Sequence, residues 1–191
     1  STDLDSGILD CVDPRVYTAK KKTVDLDTPT FYEAMYGSDS LLYIEAMKKE
    51  VSQLMKQNTW KRLPRNDVPP GRKILKSTWA FKLKRLPDGT PLKYKARFCV
   101  RGDLQTEGVD YFETYAPVVQ WSTIRLLLTL ILSNGWATKQ VDYTNAFAQA
   151  EIMEEVYVEP PKAFGSKDKL DKILLLLKSL YGLKQAPKTF F

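Results

Sequence analysis

The sequence contains no histidine and only two cysteines among its 191 residues. Without histidine, the chain cannot use Ser-His-Asp or Cys-His catalysis, and it cannot form a zinc site that needs an imidazole ligand. The two cysteines, Cys11 and Cys99, are far apart in the sequence. Neither a thiolate metal cluster nor a disulfide framework is therefore expected, and an intracellular protein is predicted.

Long hydrophobic runs are also absent. The N-terminal residues 1–13 are acidic and lack the apolar core of a signal peptide. The most apolar stretch, residues 124–132, is interrupted by Arg125 and Thr129. It is shorter than the ~20 residues needed to cross a bilayer. We therefore expect a core helix here and no membrane anchor.

The composition that is present describes a basic globular protein. Lysine and arginine number 29 against 23 aspartates and glutamates, which gives a net charge of +6, and 43% of the residues are hydrophobic. The length corresponds to about one domain or somewhat more, at ~150 residues per domain. A sizeable hydrophobic core can therefore be buried.

Residues 78–101 carry the clearest local pattern. Apolar and polar side chains alternate on both sides of Pro87, Asp88 and Gly89. Period-two alternation around such a turn predicts a β-hairpin with one apolar face. The opposite face would present six cations: Lys82, Lys84, Lys93, Lys95, Arg97 and Arg101.

Six cations on one face of two paired strands indicate a polyanionic partner. Like charges opposite each other in a ladder repel, and exposed faces usually mix their signs. Phosphates of a nucleic acid or a nucleotide would neutralise the face and release counterions. The alternative is a solvated edge hairpin whose lysines prevent aggregation.

Two amphipathic helices are predicted on either side of the hairpin. Apolar residues at spacings of three and four predict a helix from Ser38 to near Asn58, with its apolar stripe in the core. A second helix is expected to begin at the capping residue Ser122 and to end at Asn134 and Gly135. Residues 1–37 show no sustained periodicity, and we expect a linker or docking tail there.

Shorter elements are predicted toward the end of the chain. Residues 140–143 are typical of a strand that ends in the carboxylate of Asp142, and residues 156–158 predict a second short strand. Pro187 is suited to the first position of a helix.

Several strings occur together and in order over residues 31–191. They are FYEAMYGSDSLLYIEAMKKEVSQLMKQNTW, KSTWAFKLKRLPDGTPLKYKARFCVRGDLQTEGVDYFETYAPVV, TIRLLLTL, GWATKQVDYTNAF, EEVYVEPP and KSLYGLKQAPK. The ordered set resembles the reverse transcriptase of copia-type LTR retrotransposons, in which it forms part of a Pol polyprotein.

The resemblance implies an α+β fold, the right-hand polymerase fold with its fingers and the beginning of the palm but no thumb. Residues 38–139 would be a fingers-type region that contains the basic hairpin. Residues 140–191 would hold the first palm strand and return to the nucleotide-side loop SLYGLKQAP. Residues 1–37 would be the connection from an upstream part of the polyprotein.

The resemblance also implies the site residues. Asp142 matches the first catalytic aspartate of the palm and would be a metal ligand, and Phe147 would act as a steric gate against the ribose 2′-hydroxyl. The nucleotide-binding set would be Arg97, Lys95, Lys82, Phe147, Gly182 and Gln185. The nucleic-acid-binding set would be Lys84, Lys93, Arg101 and Lys184.

Each of these assignments has a plainer alternative on the residues alone. Asp142 could be an exposed turn carboxylate or a helix cap, and a phenylalanine after a strand is ordinarily part of the core. The loop at residues 179–187 could simply connect a strand to a helix.

The implied activity is RNA-directed DNA polymerisation by two-metal-ion phosphoryl transfer, with Mg²⁺ or Mn²⁺ as cofactor. The implied partners are an RNA template, a DNA primer, deoxynucleoside triphosphates and the rest of the polymerase, which comprises palm, thumb and RNase H. No membrane partner is expected. The implied location is a cytoplasmic virus-like particle, with the nucleus as the alternative.

The sequence departs from the family pattern in one respect, because it has no aromatic-x-Asp-Asp motif. A lone Asp142 cannot hold two metal ions. We therefore expect a truncated piece of the polymerase that is inactive alone. One alternative is a catalytically inactive relic that acts as a nucleic-acid-binding module, and another is a scaffold whose basic hairpin contacts an acidic protein.

Overall fold

The computed structural model describes residues 25–164 and 172–191. These residues form a mixed α/β structure with two sheets. The helices are α1 (Phe31–Tyr36), α2 (Ser40–Lys56), α3 (Trp121–Asn134) and α4 (Ala186–Phe190). The strands are β1 (Trp60–Pro64), β2 (Ile74–Leu75), β3 (Ser77–Arg85), β4 (Pro91–Val100), β5 (Tyr157–Val158) and β6 (Lys172–Leu176).

The four-stranded sheet joins distant parts of the chain in the order β1-β6-β5-β2. Strand β6 pairs antiparallel with both β1 and β5, and Trp60 lies opposite Leu176. Strands β2 and β5 are parallel. Ile173 and Leu174 are adjacent, so they point to opposite faces of the sheet, and both are buried together with Leu176; both faces of β6 are therefore covered. Strand β5 confirms the prediction of a strand at residues 156–158.

The two-stranded sheet is the hairpin β3–β4, as predicted. Trp79 lies opposite Phe98 and Phe81 opposite Ala96, and all four side chains are buried. The intervening residues point to the other face, as the pleat requires. At the turn, Gly89 has φ +87°, which a glycine adopts without the strain of a Cβ atom.

Helix α2 packs on the apolar face of the hairpin, so the prediction that its stripe lies in the core is confirmed. Met47, Val51 and Leu54 are buried in one cluster with Trp79 and Phe98. Burying a side chain of this size stabilises the fold by ~1.5–3 kcal/mol. The core therefore lies between α2 and the hairpin and leaves the cationic face outside.

Residues 25–37 belong to the folded part of the protein, although the sequence pattern indicated a linker. The N–H of Leu83 donates to the carbonyl of Asp27 at 2.7 Å, and Arg85 pairs with the Asp27 carboxylate. Thr30 and Glu33 cap each other's backbone N–H at the start of α1. The remaining residues of the predicted linker, 1–24, lie outside the described residues.

Helix α3 forms where it was predicted, but it is not a core helix. None of its residues is buried, and Leu132 is 82% exposed. The helix begins one residue before Ser122, and the residue that precedes it is Gln120. Gly135 ends it in the left-handed conformation, as expected. No helix among the described residues is long and apolar enough to cross a membrane.

Residues 140–143 do not form the predicted strand. They are irregular and lie next to a short 3₁₀ turn at Ala146–Gln149. The local alternation around Asp142 has no partner strand among the described residues, and strands are stabilised by their cross-strand pairs. Helix α4 begins at Ala186, with Pro187 in its first turn as expected.

Candidate functional site

The outer face of the hairpin carries a ladder of like charges. Lys82 lies opposite Lys95, and Lys84 lies opposite Lys93. Partial burial lowers the pKa of Lys95, and the charges of Lys84, Arg97 and Lys93 lower it further. Burial is the larger cause, and the contributions of the three neighbouring cations together with the opposed lysine pairs show that positive charge is crowded here. This face is therefore an anion-attracting surface, formed by Lys82, Lys84, Lys93, Lys95 and Arg97, and we call it the cationic face.

Two other predicted nucleic-acid contacts are already engaged within the protein. Arg101 lies beyond the end of β4 and forms a two-pronged ion pair with Asp103, with distances of 2.7 and 2.6 Å. The ammonium of Lys184 donates to the Tyr111 hydroxyl at 3.1 Å and lies 4.9 Å from the centre of its ring. Their charges are therefore less available to a ligand than those of the cationic face.

Arg97 connects the cationic face to the two other segments that the sequence singled out. Its guanidinium carbon lies 5.0 Å from the centre of the Tyr181 ring. The Tyr181 ring in turn contacts Phe147 edge-to-face, with 5.1 Å between centroids. Three segments distant in sequence thus meet at one point. We call Arg97, Phe147 and Tyr181 the aromatic junction.

Tyr181 is a site residue that the sequence reasoning did not assign. Its position inside SLYGLKQAP was recognised, but an aromatic residue in a loop gives no signal of the cation it will contact. Burial raises the pKa of Tyr181, whereas the charge of Arg97 opposes that shift. The phenol therefore stays neutral at physiological pH and offers a ring face and a hydroxyl.

Asp142 is exposed and lies near the aromatic junction. Burial is the main cause of the lowered pKa of Lys95 and of the raised pKa of Tyr181; the charge of Asp142 opposes the first shift and adds to the second, so the carboxylate is within electrostatic reach of both side chains. The structure therefore brings together Asp142, Phe147, Lys95 and Arg97, four of the predicted site residues. It does so without the strand that was expected to carry Asp142.

The described residues do not by themselves fit a divalent metal ion. Mg²⁺ requires near-octahedral oxygen coordination, usually by one or two carboxylates together with water and phosphate oxygens. No group of three or more Asp, Glu, Cys or His side chains able to hold a metal occurs within residues 25–164 and 172–191. Asp142 is a candidate carboxylate ligand, but it does not belong to a group of three or more such side chains within the described residues.

Gly182 allows the turn after Tyr181 to press against the hairpin. It has φ +90°, and a Cβ atom built on it would lie 2.1 Å from the carbonyl oxygen of Val100. Next to it, the N–H of Val100 donates to the carbonyl of Tyr181 at 2.8 Å. Gly182, which the resemblance placed in the nucleotide-binding set, thus has a structural reason of its own, which is close contact of the turn with the end of β4.

Gln185 is only 1% exposed, and its side-chain amide is bonded within the protein. Its Nε2 donates to the carbonyl of Asp110 at 2.9 Å, and its Oε1 accepts from Gln105 at 2.9 Å. A direct contact between Gln185 and a nucleotide, as predicted, would require these bonds to open. Gln105 and Asp110 were not identified from the sequence.

A buried carboxylate lies behind the cationic face. Glu50 of α2 is 6% exposed, and its Oε1 has no hydrogen-bond partner. Burial raises the pKa of Glu50, whereas a hydrogen bond from the Phe98 backbone and the charges of Arg97 and Lys95 lower it. The neighbouring Cys99 thiol has its pKa raised to about 11, mainly by burial. Sequence periodicity placed residue 50 on a helix but did not reveal its burial.

Comparisons with known proteins identify the family. The sequence profile of the family described as "Reverse transcriptase (RNA-dependent DNA polymerase)" matches residues 57–191. This range includes the hairpin, the aromatic junction and Asp142. The chain therefore belongs to the reverse transcriptase (RNA-dependent DNA polymerase) family.

The particular relatives are plant retrotransposon proteins. The chain is 35% identical over 167 residues to the Retrovirus-related Pol polyprotein from transposon TNT 1-94 of Nicotiana tabacum, covering 87% of this chain and 12% of that protein. It is 37% identical over 147 residues to the Pol polyprotein from transposon RE2 of Arabidopsis thaliana, covering 77% and 10%. The corresponding protein from transposon RE1 of the same plant is 36% identical over 147 residues, covering 76% and 10%.

The chain spans about a tenth of the length of these relatives. No solved structure matches it. The predicted resemblance to a retrotransposon reverse transcriptase is confirmed.

Proposed function

We propose that the chain forms the fingers and the first part of the palm of a copia-type reverse transcriptase, a polymerase with the right-hand fold. In this proposal residues 38–139 are the fingers-type region, and residues 140–191 begin the palm. The remainder of the palm, the thumb and RNase H belong to a longer polyprotein. The observation that carries the proposal is the aromatic junction, which joins the cationic face to the segment of Asp142.

The cationic face would bind phosphates. Arg97, with Lys95 and Lys82, would hold the triphosphate of a deoxynucleotide through charge-assisted hydrogen bonds. Lys84 and Lys93, nearer the hairpin turn, would contact the backbone of the RNA template and DNA primer. Binding of these anions would relieve the repulsion between the opposed lysines and release counterions.

The aromatic junction would meet the sugar of the nucleotide. Phe147 lies beside Tyr181 and is partly exposed. A rigid ring at this position would exclude a ribose 2′-hydroxyl by contact. Arg97 would contact the triphosphate and Phe147 the sugar of the same nucleotide, because the Tyr181 ring contacts both side chains.

Asp142 would be one carboxylate ligand of Mg²⁺ or Mn²⁺. Because no group of three or more ligand side chains occurs among the described residues, further ligands would come from outside them, and the chain alone is expected to be inactive. The complete protein would act in a cytoplasmic virus-like particle. A nucleic-acid-binding module without chemistry is not favoured, since the family match extends through the Asp142 segment and not through the hairpin alone.

Salt-dependent binding of an RNA–DNA template–primer tests the phosphate contacts. Arg97→Gln should weaken binding and lower the slope of log affinity against log salt by ~0.9, the value for one lost phosphate contact. The matched control is Arg62→Gln, which removes an equal charge from an exposed position on β1 in the other sheet. Equal slopes for the two variants would contradict the proposal.

A further inference from the structure

A set of buried amides connects the loop after the hairpin to the turn at residues 180–185. Gln105, Asp110 and Gln185 are 7%, 4% and 1% exposed. The Nε2 of Gln105 donates to the Oε1 of Gln185, and the Nε2 of Gln185 donates to the carbonyl of Asp110. We call these three residues the glutamine bridge. Every polar atom of its two side-chain amides has a partner.

A further hydrogen bond of the bridge reaches the turn backbone itself. The Oε1 of Gln105 accepts from the N–H of Lys184 at 2.8 Å. On the opposite side of the turn, the carbonyl of Tyr181 accepts from Val100 at the end of β4. The turn is therefore held from two sides by groups that are far away in the sequence, and Tyr181 lies within the segment that is held.

The loop that carries Gln105 and Asp110 is itself braced. The carboxylate of Asp110 accepts from the N–H of Thr106 at 2.8 Å, and the N–H of Asp110 donates to the carbonyl of Thr106 at 2.9 Å. Gly108 donates to the carbonyl of Tyr111 at 2.8 Å. A braced loop can fix the position of a neighbouring segment, because its own hydrogen bonds resist deformation.

We infer that Gln105 is a positioning residue of the nucleotide-side turn, which it fixes through Lys184 and Gln185 so that Tyr181 stays against Arg97. This inference rests on the proposed function, because it assigns the purpose of the positioning to nucleotide binding. Gln105 itself touches no ligand in this account. Its effect passes through the turn backbone to the aromatic junction.

The test uses Gln105→Met, which preserves side-chain length but removes both the donor and the acceptor. The matched control is Gln53→Met, a glutamine of α2 outside the site. Amide hydrogen exchange of the chain should show about tenfold faster exchange at Lys184 and Val100 in Gln105→Met, while the other amides of β3 and β4 exchange as in the wild type. The control should leave both amides unchanged.

The second readout is nucleotide incorporation by the longest polypeptide that contains this chain. Loss of the hydrogen bond from Lys184 to Gln105, the one that holds the turn backbone, corresponds to a factor of about ten. Gln105→Met should therefore raise the KM for a deoxynucleoside triphosphate about tenfold, with the template–primer Kd changed less than twofold. Unfolding would change both the KM for the nucleotide and the Kd for the template–primer, whereas displacement of the turn would change only the KM.

The outcomes separate the inference from the proposed function. In Gln105→Met, unchanged exchange at Lys184, or an unchanged KM in an active enzyme, overturns the inference. A wild-type polypeptide that neither binds template–primer nor incorporates nucleotide overturns the proposed function, and the exchange experiment still decides whether Gln105 positions the turn. If Gln105→Met does not fold, Gln105→Glu is the second variant. Its carboxylate keeps an acceptor for the N–H of Lys184 but cannot donate to Gln185. The Lys184 amide should therefore stay protected from exchange while the KM rises. An unchanged KM in that variant overturns the inference.

Discussion

The hairpin and helix α3 both contain large apolar side chains, yet their packing differs. The hairpin buries Trp79, Phe81 and Phe98 against α2. Helix α3 contains isoleucine and leucine at most positions of residues 124–132, and none of these side chains is buried. Apolar composition therefore indicates which segments can be buried. Whether they are buried depends on a packing partner, which the local sequence does not reveal.

The difference separates two kinds of residue on this chain. Substitutions in the core between α2 and the hairpin should affect stability, because the lost contacts are within the described fold. Substitutions on α3 should leave the stability of the chain almost unchanged.

Truncation of Phe98 should have the largest effect. This ring is fully buried and contacts Trp60 and Trp79 with centroid distances of 5.8 and 5.7 Å. Phe98→Ala should lower the free energy of unfolding in urea by ~3–5 kcal/mol, the usual cost of such a cavity. Leu132→Ala on α3 should change it by less than ~0.5 kcal/mol. Similar losses for the two variants would show that α3 is covered after all.

The backbone contact at Gly182 should come second. Gly182 and Gly89 both have positive φ, so an alanine at either position should lower the free energy of unfolding by ~1–2 kcal/mol because of the left-handed conformation. Of these two glycines, only Gly182 lies where an added Cβ atom would clash with a backbone oxygen, that of Val100. Nothing lies within 4 Å of a Cβ atom at Gly89. Gly182→Ala should therefore destabilise the chain by at least ~1 kcal/mol more than Gly89→Ala in the same urea titration. A smaller difference would mean that the turn does not press on β4.

The smallest effect should be the pH dependence contributed by Glu50. Because burial raises its pKa in the folded state above the ordinary value of 4.5, the native protein holds the proton more tightly than the unfolded chain. Its contribution to stability is complete below pH 4.5 and is lost as the pH rises through the raised pKa. Glu50→Gln should therefore stabilise the chain at neutral pH and have no such effect below pH 4.5.

The control for this variant is Glu45→Gln, which is exposed on the same helix. It should change stability little at neutral pH, because its side chain is exposed and makes no buried contact. A loss of stability in Glu50→Gln at neutral pH would instead mean that the carboxylate charge is held favourably by Arg97 and Lys95.

The features that sequence predicted best are those set by local periodicity. The alternation of Trp79 to Leu83 and the Pro-Asp-Gly turn predicted the hairpin and its cationic face, because pleating alone sends alternate side chains to opposite sides. The helical spacing of Met47, Val51 and Leu54 predicted α2 and its buried stripe for the same kind of reason.

The features that sequence missed depend on contacts between distant segments. Strand β6 pairs with β1 more than a hundred residues earlier, and no local pattern records that pairing. Residues 140–143 alternate like a strand but have no neighbour to pair with among the described residues. Tyr181 became a site residue only when folding brought Arg97 over its ring, and Gln185 was assigned to a ligand because its buried partners were not visible.

The most direct test of the account is primer extension on an RNA template by the longest polypeptide that contains this chain. Asp142→Asn retains the size of the side chain but removes the charge of the carboxylate beside the aromatic junction, and Asp67→Asn is the exposed control. The account predicts Mg²⁺-dependent incorporation that falls by about a thousandfold or more in Asp142→Asn and is unchanged in Asp67→Asn. Equal extension by the wild type and Asp142→Asn would contradict it.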